Sequence, residues 1–226
     1  MSIFDILGPV MVGPSSSHTA GAVRIGLVAR KLLKDDVVFA DVRFHGSFAA
    51  TYRGHGTDRA IAAGLLGMQP DDMRIPDSLS IAKERDMKVF FSTVDLDDAH
   101  PNTALLTVQG KEGCKIVVQA SSVGGGRIMV NKLDGITVNF SATMPTLIVH
   151  NYDTAGHVAF VTQALFDCGI NIASMQLYRS GPGGYAVMVL ETDQEIPAQA
   201  IERIAGYRGL IKATYVDGRD GSEDGL

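Results

Sequence analysis

Two polar segments in the first third of the chain carry side chains that could do chemistry. The first, GPSSSHT at 13–19, holds Ser15, Ser16, Ser17, His18 and Thr19. Hydroxyl groups and unpaired backbone N–H groups at the start of a helix suit a carboxylate or a phosphate. A serine nucleophile is disfavoured, because adjacent Ser17 and His18 would point about 100° apart on a helix and the chain has no GxSxG motif. The segment therefore predicts a cradle for a small anionic substrate.

The second segment, FHGSFAATYRGHGTDRA, places His45 and His55 around what its glycines predict to be a turn before a helix. Histidine is suited to proton abstraction near neutral pH. A further histidine, His100, lies in AHPNT, and another Gly-rich loop is predicted at SSVGGGR. Because all three histidines lie beside Gly or Pro breaks, we expect them to share a polar cleft.

Hydrophobic periodicity predicts the elements that position these side chains. A helix is expected over residues 17–34 with a serine as its N-cap. A second helix is expected at TDRAIAAGLLG, capped by Thr57 or Asp58, and a third at PDSLSIAKERD. Strands are expected at VVFADVRFHG, MKVFFSTVD, NTALLTVQG, CKIVVQASS and RIMVNKLDGITVNF. Residues 1–142 are thus predicted to form a mixed α+β domain.

A second domain is predicted after SATMPT, residues 141–146, where Pro145 and small polar residues interrupt the pattern. Residues 146–218 show a β-α-β-β-α-β order, which is typical of a ferredoxin-like sandwich. The expected strands are TLIVHNY, NIASMQLYRS, GYAVMVLETD and LIKATYV, and the expected helices are HVAFVTQALFDCG and PAQAIERIAGY. The polar tail, residues 219–226, is expected to be flexible.

Composition excludes several classes of function. The chain has 226 residues, of which 46% are hydrophobic, so a core can form without disulfides or metals. The net charge of −5 offers no basic surface for nucleic acid or anionic lipid. No apolar run approaches the ~18 residues that span a bilayer, and the N-terminal residues do not resemble a signal peptide. We expect a cytoplasmic protein without membrane contact.

The two cysteines, Cys114 and Cys168, lie far apart and form no CxxC motif. We expect both to be small buried hydrophobes in a reducing compartment. Two thiols are also too few for an iron–sulfur cluster, which is usually held by about four cysteines. No metal site is therefore expected within this chain.

The second domain resembles the ACT family, and NYDTAGHVAFVTQALFDCGINIASM carries the resemblance. A turn near a helix start exposes N–H groups that can hold the carboxylate of an amino-acid effector. The resemblance implies an effector site at Asn151, Asp153, Gly156, Asn171 and Ile172. The opposing interpretation is that these residues only cap a helix and stabilise a turn, because ACT-like folds do not always bind a ligand. The sequence does not identify the effector.

The motifs GPSSSHT, HGSF, YRGHGTDRAIAAGLLG, HPNT and SVGGG, followed by the ACT-like module, closely resemble the β subunits of bacterial iron–sulfur-dependent L-serine dehydratases. The resemblance spans nearly the whole chain. The first domain is also similar to the allosteric substrate-binding domain of some phosphoglycerate dehydrogenases. Enzymes of this family are L-serine ammonia-lyases. They eliminate water from L-serine, and the aminoacrylate that forms hydrolyses to pyruvate and ammonia.

The resemblance implies a [4Fe-4S] cluster with one open iron, which acts as a Lewis acid on the leaving hydroxyl, and no pyridoxal phosphate. Because this chain has only two cysteines, the resemblance implies a cysteine-rich α subunit that ligates the cluster in an αβ heterodimer. A dimer of two β chains is a further expectation.

The resemblance also assigns roles to individual residues. His55 is the candidate general base, and His18 is the competing assignment. The residues expected to bind the substrate or line its pocket are Ser15, Ser16, Ser17, Thr19, Ser47, His100 and Asn102. The alternative function is a regulatory subunit whose first domain binds serine allosterically and contributes no catalytic group.

Overall fold

The computed structural model describes residues 10–218, and these residues divide into two units between Asp134 and Gly135. The boundary predicted at residues 141–146 falls one strand later in the chain and remains a prediction. The tail at residues 219–226, which the sequence predicts to be flexible, lies outside the described residues. No helix within the described part of the chain is long and apolar enough to cross a membrane.

The first unit combines four helices with a mixed sheet. Its helices are α1 (Ala22–Leu33), α2 (Gly46–His55), α3 (Thr57–Leu65) and α4 (Ser78–Glu84). Its strands are β1 (Val37–Phe44), β2 (Lys88–Thr93), β3 (Thr103–Gly110), β4 (Lys115–Gly124) and β5 (Arg127–Leu133). The strands are arranged in the order β2-β1-β3-β4-β5, with β1 parallel to β2 and antiparallel to β3. The mixed α+β class is therefore confirmed.

Helices α1 and α3 cross at very close range because each carries a glycine at the crossing. A Cβ at Gly26 would overlap the carbonyl oxygen of Ile61, and one at Gly64 would overlap that of Val23. The buried faces of both helices pack where larger side chains could not fit. This pair fixes the segment before α1 relative to the segment before α3, and both segments contribute to the site described below.

The second unit begins with β6 (Ile136–Phe140) and continues with the predicted β-α-β-β-α-β order. The remaining elements are β7 (Thr146–Tyr152), α5 (His157–Phe166), β8 (Ile172–Arg179), β9 (Tyr185–Thr192), α6 (Ala198–Ala205) and β10 (Leu210–Val216). Four antiparallel strands in the order β10-β7-β9-β8 carry both helices, and the core between them contains Leu147, Val149, Val161, Met188 and Ile204. The predicted ferredoxin-like fold is confirmed.

The structure corrects two local predictions in the first unit. The residues after His45, where the glycines led us to predict a turn, form the ten-residue helix α2. The helix predicted over 17–34 begins instead with a π-helical turn, Ser16–Gly21, and continues as α1. Widened π turns occur frequently at functional sites, and this one contains the histidine of the first motif.

The capping prediction for α3 is wrong. Gly56, with a φ of 70°, both ends α2 and occupies the N-cap of α3, so neither Thr57 nor Asp58 caps the helix. A glycine adopts this left-handed conformation without strain, which lets one residue join two helices. Thr57 is fully buried, and the Asp58 carboxylate accepts the backbone N–H of Arg59.

The predicted burial of the two cysteines is also wrong, because Cys114 and Cys168 are both exposed. Cys114 precedes β4, and Cys168 follows α5. Both lie in turns at the ends of elements, where the chain does not enter a core. They belong to different units.

Candidate active site

The π-helical turn Ser16–Gly21 positions His18 through the serine that precedes the turn. Ser15 is the N-cap, and its Oγ accepts the backbone N–H of His18 at 3.2 Å. The same Oγ lies 3.4 Å from His18 Nδ1. One hydroxyl therefore caps the turn and orients the imidazole that the turn carries.

Helix α2 holds the other side of the His18 ring. Ser47 Oγ, near the start of α2, lies 3.3 Å from His18 Nε2. Phe48 contacts the ring edge-on with centroids 5.1 Å apart. Both ring nitrogens of His18 are thus within reach of a hydroxyl, and the ring is fixed from two elements.

His55, the last residue of α2, completes the cluster. The rings of His18 and His55 have centroids 4.9 Å apart in an edge-to-face arrangement. Ser47 and His55 are about two helical turns apart, so α2 brings both ends of its length to one histidine. His55 is exposed, and none of the described residues donates to or accepts from its ring.

Burial lowers the pKa of His18 below its ordinary value of 6.5, and the nearby His55 lowers it further. Burial disfavours the charged imidazolium, and a second histidine repels that charge. The lowered pKa therefore favours the neutral form of the His18 imidazole.

A cavity of about 220 Å³ lies beside His55. Its lining includes Gly13, Thr19, Arg53, Gly54, His55, Gly56 and Arg59. Thr19 is 3% exposed, and its Oγ1 is buried without a hydrogen-bond partner among the described residues. Such an atom is costly unless a ligand or water satisfies it. Of the hydroxyl-bearing residues at 15–19, Thr19 is the one that lines the cavity.

The remaining serines of the first motif have other positions. Ser16 and Ser17 are half-buried within the π-helical turn, and neither lines the cavity. Ser15 and Ser47 contact His18 rather than the cavity. Ser15 therefore supports the imidazole of the same motif, and the anion cradle remains a prediction.

The loop that carries His100 and Asn102 packs against the start of α2. The N–H of Phe48 is donated to the carbonyl of Pro101 at 3.3 Å. Within the loop, His100 Nδ1 accepts the N–H of Asn102 at 3.1 Å. Asn102 Oδ1 is buried without a partner among residues 10–218.

A buried chain of hydrogen bonds ties this loop to the sheet. Thr103 Oγ1 donates to the carbonyl of His100 at 2.5 Å and lies 2.7 Å from Ser121 Oγ. Ser121 Oγ in turn donates to Asn131 at 2.7 Å. The network spans β3, β4 and β5, so the sheet fixes the loop's conformation.

His45 contacts the loop that follows β2. Its Nδ1 accepts the N–H of Leu96 at 3.2 Å and lies 3.6 Å from the Asp95 carboxylate. The imidazole thereby anchors the loop after β2 to the end of β1. The histidine that contacts His55 is His18.

Sequence reasoning missed Arg53 and Arg59, which line the cavity on either side of His55. The signal was present, because both flank His55 in YRGHGTDRA. A turn at these residues, as predicted, gave no reason to place the two arginines together. In the structure α2 and α3 are joined at Gly56, and both arginines lie beside one cavity.

The predicted effector residues of the second unit separate into two groups. Asn151 and Asp153 lie at the end of β7, where Asn151 pairs with Ala186. Asn171 and Ile172 lie at the start of β8, where Ile172 pairs with Thr192. Because these positions are at opposite ends of β9, one chain does not bring the two groups together.

Each group has its own hydrogen bonds. Asn151 is 3% exposed; its Nδ2 donates to Tyr152 O, and its Oδ1 has no partner among the described residues. Gly156, with a φ of 97°, begins α5. The Asn171 side chain donates to Asp193 at 2.6 Å. Arg179 pairs with Asp153 at 2.7 Å, and their hydrogen bond lowers the pKa of that carboxyl.

No group of three or more His, Cys, Asp or Glu side chains within residues 10–218 could hold a metal ion. The two cysteines are exposed and belong to different units. The donor set of this part of the chain therefore does not fit an iron–sulfur cluster.

Comparison with known proteins matches residues 2–85 to the serine dehydratase beta chain family and residues 146–209 to the ACT domain. A probable L-serine dehydratase beta chain of Bacillus subtilis is 40% identical over 215 residues, covering 95% of this chain and 97% of that protein. The L-serine dehydratase beta chain of Peptoniphilus asaccharolyticus is 34% identical, covering 96% and 98%. A D-3-phosphoglycerate dehydrogenase of Methanocaldococcus jannaschii is 28% identical, covering 81% and 34%.

Proposed function

Because the chain belongs to the family of L-serine dehydratase beta chains, as its motifs predicted, we propose that it supplies substrate-binding and proton-transfer groups for converting L-serine to pyruvate and ammonia. The contact between His18 and His55 beside a small cavity carries the proposal. The reaction needs a base for the weakly acidic Cα proton and a binding site for the substrate, and this arrangement offers groups suited to both tasks.

His55 is the general base in this proposal. It is exposed at the cavity, and its ring has no hydrogen-bond partner among residues 10–218, so a nitrogen is free to accept a proton. His55 removes the Cα proton, the Cβ–O bond breaks, and the proton that His55 has taken up converts the departing hydroxide to water, so that aminoacrylate remains. Aminoacrylate then takes up water and releases ammonia and pyruvate.

His18 is the supporting residue. Both of its ring nitrogens are near hydroxyls, which makes it a poorer proton acceptor than His55. Its lowered pKa keeps it neutral, so it does not oppose the positive charge that His55 acquires. Fixed in place by Ser15 and Ser47, its ring edge orients the His55 imidazole.

The [4Fe-4S] cluster that the family resemblance implies has no ligand set in the described part of this chain. We assign its cysteines to a separate α chain, in keeping with the names of the relatives, which are beta chains. The isolated chain is then inactive, and serine turnover requires both chains.

Replacing His55 in the purified two-chain enzyme tests the proposal. A His55→Ala variant is expected to lose about 10²–10⁴-fold in kcat, because general-base catalysis contributes that much. His45→Ala is the matched control, since its ring binds the Leu96 N–H rather than lining the cavity. Serine turnover by the isolated 226-residue chain would contradict the two-chain assignment.

The similarity to D-3-phosphoglycerate dehydrogenases supports a second candidate, in which the first unit is an allosteric serine-binding module. The same His55 variant separates the two functions. A regulatory site would alter the dependence on serine concentration and leave maximal turnover nearly intact.

For the second unit we propose an effector site that requires two copies of the chain. Asn151 and Asn171 lie at opposite ends of one sheet, so a site containing both takes one from each copy. Strand β8 is the edge of that sheet, and it exposes Met175 (43%) and Leu177 (44%). An exposed apolar edge favours pairing with a second β8.

A further inference from the structure

The cavity beside His55 is positively charged in a protein that is acidic overall. Arg53, Arg59 and His55 line it, and no Asp or Glu does. The whole chain nevertheless has 25 acidic and 20 basic residues. Unneutralised cations in one small cavity repel each other, and an anion removes that repulsion.

Neither guanidinium has an acidic partner among the described residues. Arg53 lies over the ring of Tyr52, with Cζ 5.5 Å from the centroid, which holds the side chain without neutralising it. Arg59 is held through its backbone, whose carbonyl accepts the Ser78 hydroxyl at 2.8 Å. Asp58, the nearest acid in sequence, accepts the Arg59 backbone N–H.

Thr19 provides an independent indication of a ligand. Its side chain is almost completely buried, lines the same cavity, and has an Oγ1 with no partner within residues 10–218. Gly13 packs so closely on this threonine that a Cβ would lie 2.5 Å from Oγ1. Gly13 therefore packs directly against the Thr19 side chain.

The size of the cavity fits a small amino acid. Its volume of about 220 Å³ is roughly seven times the ~30 Å³ that a water molecule occupies in the liquid. L-Serine has a similar number of non-hydrogen atoms. The hydroxyls of Ser15 and Ser47 contact His18, so the arginines are the strongest anion-binding groups left at the cavity.

We propose that Arg53 and Arg59 form a carboxylate clamp, with Thr19 as a third donor, that binds L-serine with its Cα beside His55. The clamp rests on the function proposed above and adds its substrate-recognising residues. Guanidinium groups bind carboxylates through paired, charge-assisted hydrogen bonds. A neutralised carboxylate also makes the Cα proton easier to remove, because it accepts part of the developing charge.

Arg53→Gln and Arg59→Gln in the two-chain enzyme test the clamp. Each variant is expected to raise the KM for L-serine about 10- to 100-fold, the range for losing hydrogen bonds to a charged group. Inhibition by 3-hydroxypropionate, which keeps the carboxylate, weakens equally, whereas inhibition by serinol, which lacks it, is unchanged. Arg43→Gln is the control, because Arg43 pairs with Asp41 on β1 and does not line the cavity.

Calorimetric titration of 3-hydroxypropionate into the full-length single chain tests the clamp without any turnover. Wild type and Arg43→Gln should bind equally, and the two clamp variants should bind at least tenfold more weakly. The clamp is overturned if wild type does not bind, if the clamp variants bind as well as the control, or if serinol loses affinity equally. A two-chain enzyme without serine turnover would instead refute the proposed function.

Discussion

At the scale of single residues, one hydroxyl of GPSSSHT, that of Ser15, contacts the histidine of the same motif. Ser15 contacts Nδ1 of His18, and Ser47 from α2 contacts Nε2. Contacts at both nitrogens restrain the His18 imidazole, whose ring centroid lies 4.9 Å from that of His55. In the proposed clamp, Thr19 is the residue of the motif that binds the anion, and its hydroxyl has no partner in the described part of the chain.

The lowered pKa of His18 predicts a pH dependence of stability. The unfolded chain takes up a proton near pH 6.5, whereas the folded chain does so only at lower pH. The unfolded state therefore binds more protons in that interval, and the free energy of unfolding falls as pH drops below about 6.5. His18→Gln should reduce this fall, measured by urea unfolding at about pH 8 and about pH 5.5.

The Asp72 carboxylate contributes to stability in a more acidic window. Hydrogen bonding to Arg74 lowers its pKa below the ordinary value of 3.8, so its stabilisation is lost as the pH falls through about 3.8 towards that lower pKa. If the free energy of unfolding falls as much between the two pH values in His18→Gln as in the wild type, His18 is not the responsible group.

At the scale of elements, α2 and the π-helical turn assemble the site. Helix α2 carries Ser47 near its start and His55 at its end, and Gly56 turns the chain directly into α3 with Arg59. The sheet supports the neighbouring loop through Thr103, Ser121 and Asn131. Because Gly56 joins α2 directly to α3, the side chains of both helices reach the same site.

The close crossing of α1 and α3 gives the second stability prediction. Gly64→Ala should destabilise the first unit by about 1–3 kcal/mol or more, because the added methyl group would overlap the Val23 carbonyl. Gly54→Ala is the matched control, since nothing lies within 4 Å of its added Cβ, and alanine favours a helix by about 0.5–1 kcal/mol. Urea unfolding followed by circular dichroism measures both. Equal effects would show that the crossing tolerates a methyl group.

At the scale of the whole molecule, the chain holds part of an enzyme and one regulatory fold. The described part of the first unit brings His55, Arg53 and Arg59, the groups of the proposed serine site, to one cavity but has no cysteine set for a cluster. The second unit has an ACT fold whose predicted effector residues lie at two ends of a sheet. In the functions proposed above, the first unit acts with an α chain and the second unit with a second copy of this chain.

The proposed pairing of β8 strands predicts a dimer of the full chain in solution. Leu177→Glu should shift the dimer to monomer, because it places a charge on the exposed apolar edge. Ile211→Glu is the control: Ile211 is equally exposed, at 49%, but lies on β10 at the opposite edge. Size-exclusion chromatography with light scattering measures the mass. A monomeric wild type, or a dimer that Leu177→Glu leaves intact, contradicts the pairing.

The sequence by itself determined the family, the α+β class and the order of the ACT elements. Those properties follow from local patterns, such as the period of buried side chains and motifs whose residues are contiguous. His18 and His55 could be proposed as functional from their motifs and from the family resemblance that these motifs carry.

Only the tertiary structure decided which groups meet. The glycines of α2 suggested a turn, because local propensity does not include the packing of Phe48 and Phe44 that stabilises the helix. The pairing of His18 with His55 depends on contacts between residues 37 positions apart in sequence (55 − 18). The same holds for the cavity, where Arg53 and Arg59 become neighbours of Thr19 because α1 and α3 cross closely enough to bring their preceding segments together.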